Sequence, residues 1–252
     1  MGYKLPTVFQ DESEEARYIN VGLSPGIKPK LSLGGTLDLT MKLPALNGVF
    51  INMKQLYFAT RIFRPVVANQ QQVICPSGVC QEIRYNNGNG FQQSIGIENN
   101  FNLQYRGLNL SFVYTLTDNN LRLNNIRSIA PLTSKHIISL FAEYSYKGFS
   151  AGVDAYYYSP VKLTNGKIGH QIWELGVKAQ YTHKFITIFS NLENILNIRQ
   201  TSFGPILSPS PKLNEPKFAE IYAPLEGRLF NLGIKIRLGE LVKPKATSKD
   251  ED

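Results

Sequence analysis

Three histidines are the residues of this chain best suited to proton transfer or metal binding, because imidazole titrates near neutral pH. They are His136, His170 and His183. Each falls at the end of a strand-like segment or in a tight turn between two such segments. No Gly-x-Ser-x-Gly motif and no metal-ligand spacing accompanies any of them. We therefore predict rim and turn histidines, with no catalytic residue, no metal site and no cofactor.

Paired carboxylates could also act as a catalytic acid and base. Three carboxylates alternate in phase with the polar side of their segments, namely Glu143, Asp154 and Glu174. The same side carries three cations that could pair with them, namely Lys178, Lys235 and Arg237. We interpret these groups as the electrostatics of a wet surface, so the chain is not predicted to be an enzyme.

Two cysteines flank a Pro-Ser-Gly turn in the sequence ICPSGVCQ. The turn could close a small disulfide loop between Cys75 and Cys80, which an oxidising compartment would permit. A zinc site would need a second cysteine pair or a nearby histidine, and the segment offers neither. We predict the Cys75–Cys80 disulfide, with free thiols as the alternative.

The segments that carry these residues alternate between apolar and polar side chains. In the segment 226–238, every second residue from 230 onward is Phe, Leu or Ile, and Asn, Gly, Lys and Arg lie between them. Successive side chains of a strand face opposite sides, so this strand has one apolar and one polar face. The pattern predicts about ten strands, at 17–25, 31–43, 50–62, 93–105, 108–118, 134–146, 149–158, 170–182, 185–195 and 226–238. The phase slips near Gln55, where we expect a bulge.

The connections between the predicted strands alternate in length. Tight turns at 106–107, 147–148 and 183–184 alternate with long polar stretches at 63–92, 119–133, 159–169 and 196–225. Outer-membrane barrels have short periplasmic turns and longer extracellular loops. The sequence therefore predicts an all-β fold, the wall of an antiparallel transmembrane β-barrel, with the long stretches and both cysteines outside.

Composition excludes some other classes of protein. Mean hydropathy is -0.18, and no apolar run approaches the roughly 20 residues that a transmembrane helix needs. The net charge of +8 comes from scattered Lys and Arg, so we predict no nucleic-acid partner. Aromatic residues cluster near strand ends, as at a membrane interface. A soluble β-sandwich is a weaker alternative, because its exposed faces should carry more charge.

Four segments, in order along the chain, resemble motifs of TonB-dependent outer-membrane receptors. They read QLYFATRI at 55–62, YTLTD at 114–118 with PLTSKH at 131–136, FSNLENILNIRQT at 189–201, and IYAPLEGR at 221–228 with FNLGIKI at 230–236. The chain resembles the C-terminal β-barrel part of such a receptor. We assign the polar residues of the third segment a structural role in bonding a neighbouring loop or a plug, namely Asn191, Glu193 and Asn194.

The resemblance implies part of a 22-stranded barrel that an N-terminal plug closes and that TonB supplies with energy. Residues 1–238 are expected to form the barrel portion, and the polar tail 239–252 is expected to be disordered. We recognise no signal peptide, plug or TonB box in the sequence. The chain is therefore expected to be a split or truncated piece that meets TonB only through the missing part.

The function that follows is outer-membrane transport in a Gram-negative bacterium, with outer-membrane lipid and an unidentified small ligand as partners. The ligand is expected to contact the segments 63–92 and 196–225, because they are long and exposed. The alternative is a free-standing small barrel that acts as a passive pore or adhesin. That alternative requires the first and last strands to pair.

Overall fold

The computed structural model describes residues 2–4, 20–75, 78–208, 217–218 and 220–237. Its elements are strands and one 3-10 helix, Gln200–Ser202. In chain order the strands are β1 (Gly2–Lys4), β2 (Asn20–Leu23), β3 (Lys30–Leu46), β4 (Val49–Phe63), β5 (Val66–Cys75), β6 (Gly78–Asn87), β7 (Gly90–Tyr105), β8 (Leu108–Leu123), β9 (Ile126–Ile129), β10 (His136–Tyr146), β11 (Phe149–Tyr158), β12 (Ile172–His183), β13 (Ile186–Glu193), β14 (Leu207–Ser208), β15 (Lys217–Phe218) and β16 (Leu229–Ile236).

One large sheet contains most of these strands. Its order is β1-β3-β4-β7-β8-β10-β11-β12-β13-β16, and β9 pairs with the end of β8. Every pairing in it is antiparallel. Among the described residues the sheet does not close on itself, because β3 meets only three residues of β1 on one side and β16 meets only β13.

The apolar side of the predicted alternation forms one continuous face of the large sheet. Directly opposed residues of an antiparallel pair lie on the same face. One such row crosses nine strands and is apolar throughout: Leu43, Ile51, Leu103, Leu110, Ala142, Val153, Val177, Leu192 and Phe230. We call this side the apolar face.

The opposite side, the polar face, has a matching row. It crosses seven strands and contains no large apolar residue: Gln104, Asn109, Glu143, Gly152, Lys178, Asn191 and Asn231. Glycines on this face leave room for a large neighbour. A Cβ atom on Gly233 would lie 2.3 Å from the Cζ atom of Phe189, and the ring therefore occupies the space above the glycine.

The apolar face has no second layer packed on it within the described part of the chain. The described buried apolar residues are Ala130, Val161, Ile172 and Ala223, whereas Phe230 is 64% and Leu232 is 69% exposed. A soluble β-sandwich would bury such residues between two sheets. The single apolar layer is instead what a barrel wall presents to lipid, so the sandwich alternative does not describe this fold.

Nine of the ten predicted strands lie in the large sheet. The exception is 17–25, whose described part, β2, pairs in parallel with β6 in a separate three-stranded sheet. The segment 63–92, which was expected to be a loop, contains a hairpin formed by β5 and β6. The predicted loop 119–133 holds the end of β8 and all of β9.

The bulge expected near Gln55 is not observed. Gln55 keeps regular register with Leu39 on one side and Asn99 on the other, and the register shift falls between Leu43 and Leu46. The apparent phase slip is a polar residue on the apolar face. The Gln55 amide donates to the Asn99 side-chain oxygen at 2.8 Å, which satisfies both groups.

The predicted polar tail 239–252 lies outside the described residues. Within the described part of the chain, no helix has the length and apolar character to cross a membrane. The backbones of Cys75 and Cys80 pair with Gly78 and Val73 in the β5–β6 hairpin. The disulfide stays a prediction, which the mass of the intact chain before and after reduction would test.

Candidate functional site

The two ends of the large sheet differ, and the end opposite the tight turns carries ordered loops. We call this group of loops the outer cap. It consists of four segments: 130–135, 159–171, 194–206 and 220–228. Leu132 donates its backbone N–H to the Lys162 carbonyl at 2.8 Å, which joins the first two segments. The Thr164 N–H donates to the Glu220 carboxylate at 2.8 Å, which joins the second segment to the last.

Gln200 holds the centre of the outer cap and is 3% exposed. Its side-chain oxygen accepts the backbone N–H groups of Tyr222 and Ala223, each at 3.1 Å. Its amide nitrogen donates to the Glu220 carbonyl at 3.3 Å, and its backbone N–H donates to the Pro224 carbonyl at 2.7 Å. Leaving these buried polar groups without partners would be costly, so Gln200 fixes the two segments against each other.

The base of the longest loop has a second clamp. The Asn194 side chain donates to the carbonyls of Ile198 at 2.8 Å and Glu226 at 3.1 Å, and accepts the Ile198 N–H at 3.0 Å. The Arg228 guanidinium donates to the Ile195 carbonyl at 2.8 Å. The structural role predicted for Asn194 is confirmed, whereas the Asn191 amide bonds Glu193 on its own strand.

A stack of three rings forms one side of the outer cap. The ring centroids of His170 and Phe203 are 4.7 Å apart with an interplanar angle of 16°. Phe203 stacks in turn on Tyr222 at 6.0 Å and 23°. Offset stacking of this kind stabilises aromatic pairs by about 1 kcal/mol each.

Beneath the stack lies a cavity of about 370 Å³ at the outer end of the polar face. The strands contribute Thr117, Ile137 and Tyr158 from the polar face, and the cap contributes Thr133, His170 and Tyr222. This volume is within the range of small-molecule sites, in which a mostly apolar lining carries a few polar groups. We take it as the candidate ligand site.

The structure separates the three histidines. His170 stacks in the outer cap. His183 lies at the end of β12 next to the tight turns, which we call the inner end of the sheet, and both residues are exposed. His136 begins β10, and its Nδ1 atom lies 2.9 Å from the Tyr114 hydroxyl. The rim and turn positions predicted for the three histidines are thus observed. Within the residues that the structure describes, no three His, Cys, Asp or Glu side chains are grouped to hold a metal ion.

The predicted lumen charges lie on the polar face. Glu143 forms an ion pair with Lys178, whose Nζ atom also lies 4.5 Å from the centroid of the Phe141 ring. Asp154 lies over Gly176 on the neighbouring strand. Paired charges of this kind neutralise one another across strands, as the electrostatic interpretation predicts.

The roles of Gln200, Phe203 and Tyr222 are visible only in the folded chain. The motif segments 189–201 and 221–228 contact each other in the structure through Gln200. A buried glutamine inside a loop gives no local sequence signal, because its partners are backbone groups twenty or more residues away.

Comparison with known proteins gives a match at the level of structure. No protein-family profile and no curated protein sequence matches the chain. Among solved structures, the siderophore receptor PirA from Acinetobacter baumannii matches 83% of the chain at 12% identity with a TM-score of 0.56. The copper transporter OprC matches 84% at 10% identity with a TM-score of 0.58. The ferric enterobactin receptor PfeA from Pseudomonas aeruginosa matches 84% at 14% identity with a TM-score of 0.57.

The fold is that of the barrel wall of TonB-dependent receptors. The chain spans about a third of the length of these structures, from 32% of PirA to 33% of OprC. The resemblance recognised in the sequence is thus confirmed for the fold of the receptor wall. By their names, these neighbours are two receptors and a transporter.

Proposed function

We propose that this chain forms part of the wall of a TonB-dependent receptor in the outer membrane of a Gram-negative bacterium. The observation that carries the proposal is the sheet itself. It has a continuous apolar face and a polar face, with two-residue turns at one end and an ordered cap at the other. That combination is typical of an outer-membrane wall segment.

The role of the chain in import would be to supply wall and loops. The outer cap and its cavity are the surface that would first meet a small ligand from outside. The neighbours bind or transport siderophores or copper, according to their names. A scarce, small, metal-related ligand is therefore the class that we propose for the cavity.

The sheet requires further strands to complete a wall in lipid. In hydrocarbon an unpaired strand edge leaves backbone N–H and C=O groups without water, at several kcal/mol per group. The described edges of β3 and β16 do not pair with each other. We therefore propose a partner segment that supplies the remaining strands, the plug and the contact with TonB, and we do not propose a free-standing small barrel.

Fractionation of the bacterium that encodes the chain tests this proposal. We expect the chain in the outer-membrane fraction, and we expect it to purify in detergent with a segment that supplies the remaining strands, on the same polypeptide or on a second one. Recovery of the chain in the soluble periplasm, or from the outer membrane as a closed heat-modifiable monomer, would overturn the proposal.

The assignment of the faces can be tested separately, because the chain has one tryptophan, Trp173, on the apolar face. We expect phosphatidylcholine with brominated acyl chains to quench its fluorescence strongly in reconstituted vesicles, and aqueous iodide to quench it little. The matched control W173F/E174W moves the only tryptophan to the polar face. Equal quenching of the two proteins by the brominated lipid would contradict the assignment.

A further inference from the structure

The inner end of the sheet carries three cations at the tips of successive hairpins. Arg106 lies in the β7–β8 turn, Lys147 in the β10–β11 turn and Lys184 in the β12–β13 turn. We call these three residues the basic rim. Neighbouring turns are two strands apart, so the tips are spaced at about 10 Å.

The charge of these turns has one sign. The four turn sequences at 46–49, 105–108, 146–149 and 183–186 read LNGV, YRGL, YKGF and HKFI, with no Asp or Glu. The outer end carries charges of both signs. Asp118 pairs there with Arg127 at 3.4 Å, and the Glu220 carboxylate accepts the Thr164 backbone N–H. The inner end therefore favours an anionic partner.

The positions of the rim cations are fixed by their backbone. Arg106, Lys147 and Lys184 have φ angles of 43°, 47° and 50°, as tight hairpin turns require. The Gly107 carbonyl accepts the Ser145 N–H at 2.9 Å, and the Gly148 carbonyl accepts the Thr182 N–H at 2.8 Å. Each of these two turns is thus bonded to the adjacent strand, which limits its movement.

Aromatic rings place two of the three cations, Arg106 and Lys147, at the border of the apolar face. The Arg106 Cζ atom lies 5.2 Å from the centroid of the Tyr105 ring, and the Lys147 Nζ atom lies 5.2 Å from that of Tyr146. Tyr146 belongs to a row on the apolar face that continues through Phe149 and Tyr181. Tyr rings prefer the level of lipid headgroups, so the cations beside them lie at the level of lipid phosphates.

We propose that the basic rim binds the headgroup phosphates of an anionic glycerophospholipid in the inner leaflet of the outer membrane. The acyl chains would lie along the apolar face, and the phosphate would lie between neighbouring turns. Basic residues at a membrane surface attract anionic lipid in this way. The inference rests on the proposed placement in an outer membrane.

The test is lipid retention by the purified full-length chain in dodecyl maltoside micelles. The micelles contain equal amounts of dioleoyl-phosphatidylglycerol and dioleoyl-phosphatidylcholine, and native mass spectrometry counts each lipid on the protein. We expect phosphatidylglycerol to be retained about tenfold over phosphatidylcholine. The variant R106Q/K147Q/K184Q is expected to lose that preference.

A matched variant, K135Q/K162Q/K167Q, removes three cations from the other end of the sheet and should keep the preference. Equal retention of the two lipids by the wild-type chain would overturn the inference, as would an equal loss of preference in both variants. A chain that is found in the outer-membrane fraction but shows no lipid preference contradicts the lipid site alone. Recovery in the soluble periplasm together with no lipid preference would contradict the proposed function as well.

Discussion

The connections at the two ends of the sheet are held in place by different kinds of contact. At the inner end, each connection is a two-residue turn whose conformation follows from its own residues, as at Arg106 and Gly107. At the outer end, the conformation depends on side chains that reach distant backbone groups, as Gln200 does to Tyr222 and Ala223. The inner end is therefore specified locally, and the outer end is specified by contacts between distant segments.

This difference assigns separate tasks to the two ends. A two-residue turn whose conformation is set by its own residues offers little surface for selectivity. A cap that is joined by side chains can enclose a cavity, and its lining can change while the clamps remain. The cavity of about 370 Å³ accordingly lies at the outer end.

The largest expected effect is the loss of the Gln200 clamp. In Gln200→Ala, two backbone N–H groups and one carbonyl lose their partner in a buried place. We expect a local destabilisation of the cap by about 3 kcal/mol. Trypsin cleavage after Arg199 should then increase by up to about a hundredfold, because local opening exposes the segment.

Two further variants test whether the effect belongs to the Gln200 side chain. Thr201→Ala changes the exposed neighbour and should leave cleavage at the wild-type rate. Gln200→Glu keeps the acceptor oxygen but loses the donor, and should give an intermediate rate. If Gln200→Ala is cleaved no faster than Thr201→Ala, the outer cap is not held by this side chain.

A smaller effect is expected at the inner end, from Gly107→Ala. The added Cβ atom would lie 2.3 Å from the Ser145 carbonyl oxygen, so the turn must move away from the next hairpin. Gly48→Ala is the matched control, because Gly48 also has a positive φ of 80° and no atom within 4 Å of its Cβ position. Both variants carry the left-handed strain, and only one carries the clash.

We expect Gly107→Ala to lower the free energy of unfolding by about 2 kcal/mol more than Gly48→Ala does. Guanidinium titration of the two proteins, refolded in the same detergent, measures the difference. Equal losses would contradict this prediction and would mean that the inner turns are independent of the neighbouring hairpins.

The smallest effect is expected from Phe203→Leu, which keeps bulk in the cap but removes two ring contacts. The stack should weaken by about 1 kcal/mol in total, because leucine packing replaces part of both ring contacts. Trypsin cleavage after Arg199 is then expected to rise severalfold, because local opening of the cap exposes that bond. Leu225→Ile serves as a control in the same loop, and a rise there too would contradict a specific role of the stack.

Sequence periodicity predicted the wall well because each strand carries its own two-sided pattern. Strands β4, β10 and β11 match the spans expected from alternation alone to within two residues. Alternation did not predict the β5–β6 hairpin, because the sequence NQQQ at 69–72 has no apolar residues. β2 was assigned to the wrong sheet, because the alternation of a short strand does not indicate which neighbour it pairs with.

The candidate site was less accessible to sequence reasoning. Length and exposure identified the segment 196–225, and the structure brings its ends to the cavity through Gln200 and Tyr222. The contribution of 159–171 was not foreseen, because His170 reaches the site only when the loop folds back over β10 and β11. Of the segment 63–92, none of the described residues lines this cavity.

The clamp at Asn194 has a consequence for how such a protein can diversify. Since Asn194 holds both Ile198 and Glu226, the two ends of the longest loop are joined at the wall itself. Closure entropy grows only slowly with loop length, so insertions or deletions between those ends would cost little once the ends are held. A lineage could therefore exchange the part of this loop between Phe203 and Glu220, and with it the ligand, without disturbing the start of β16.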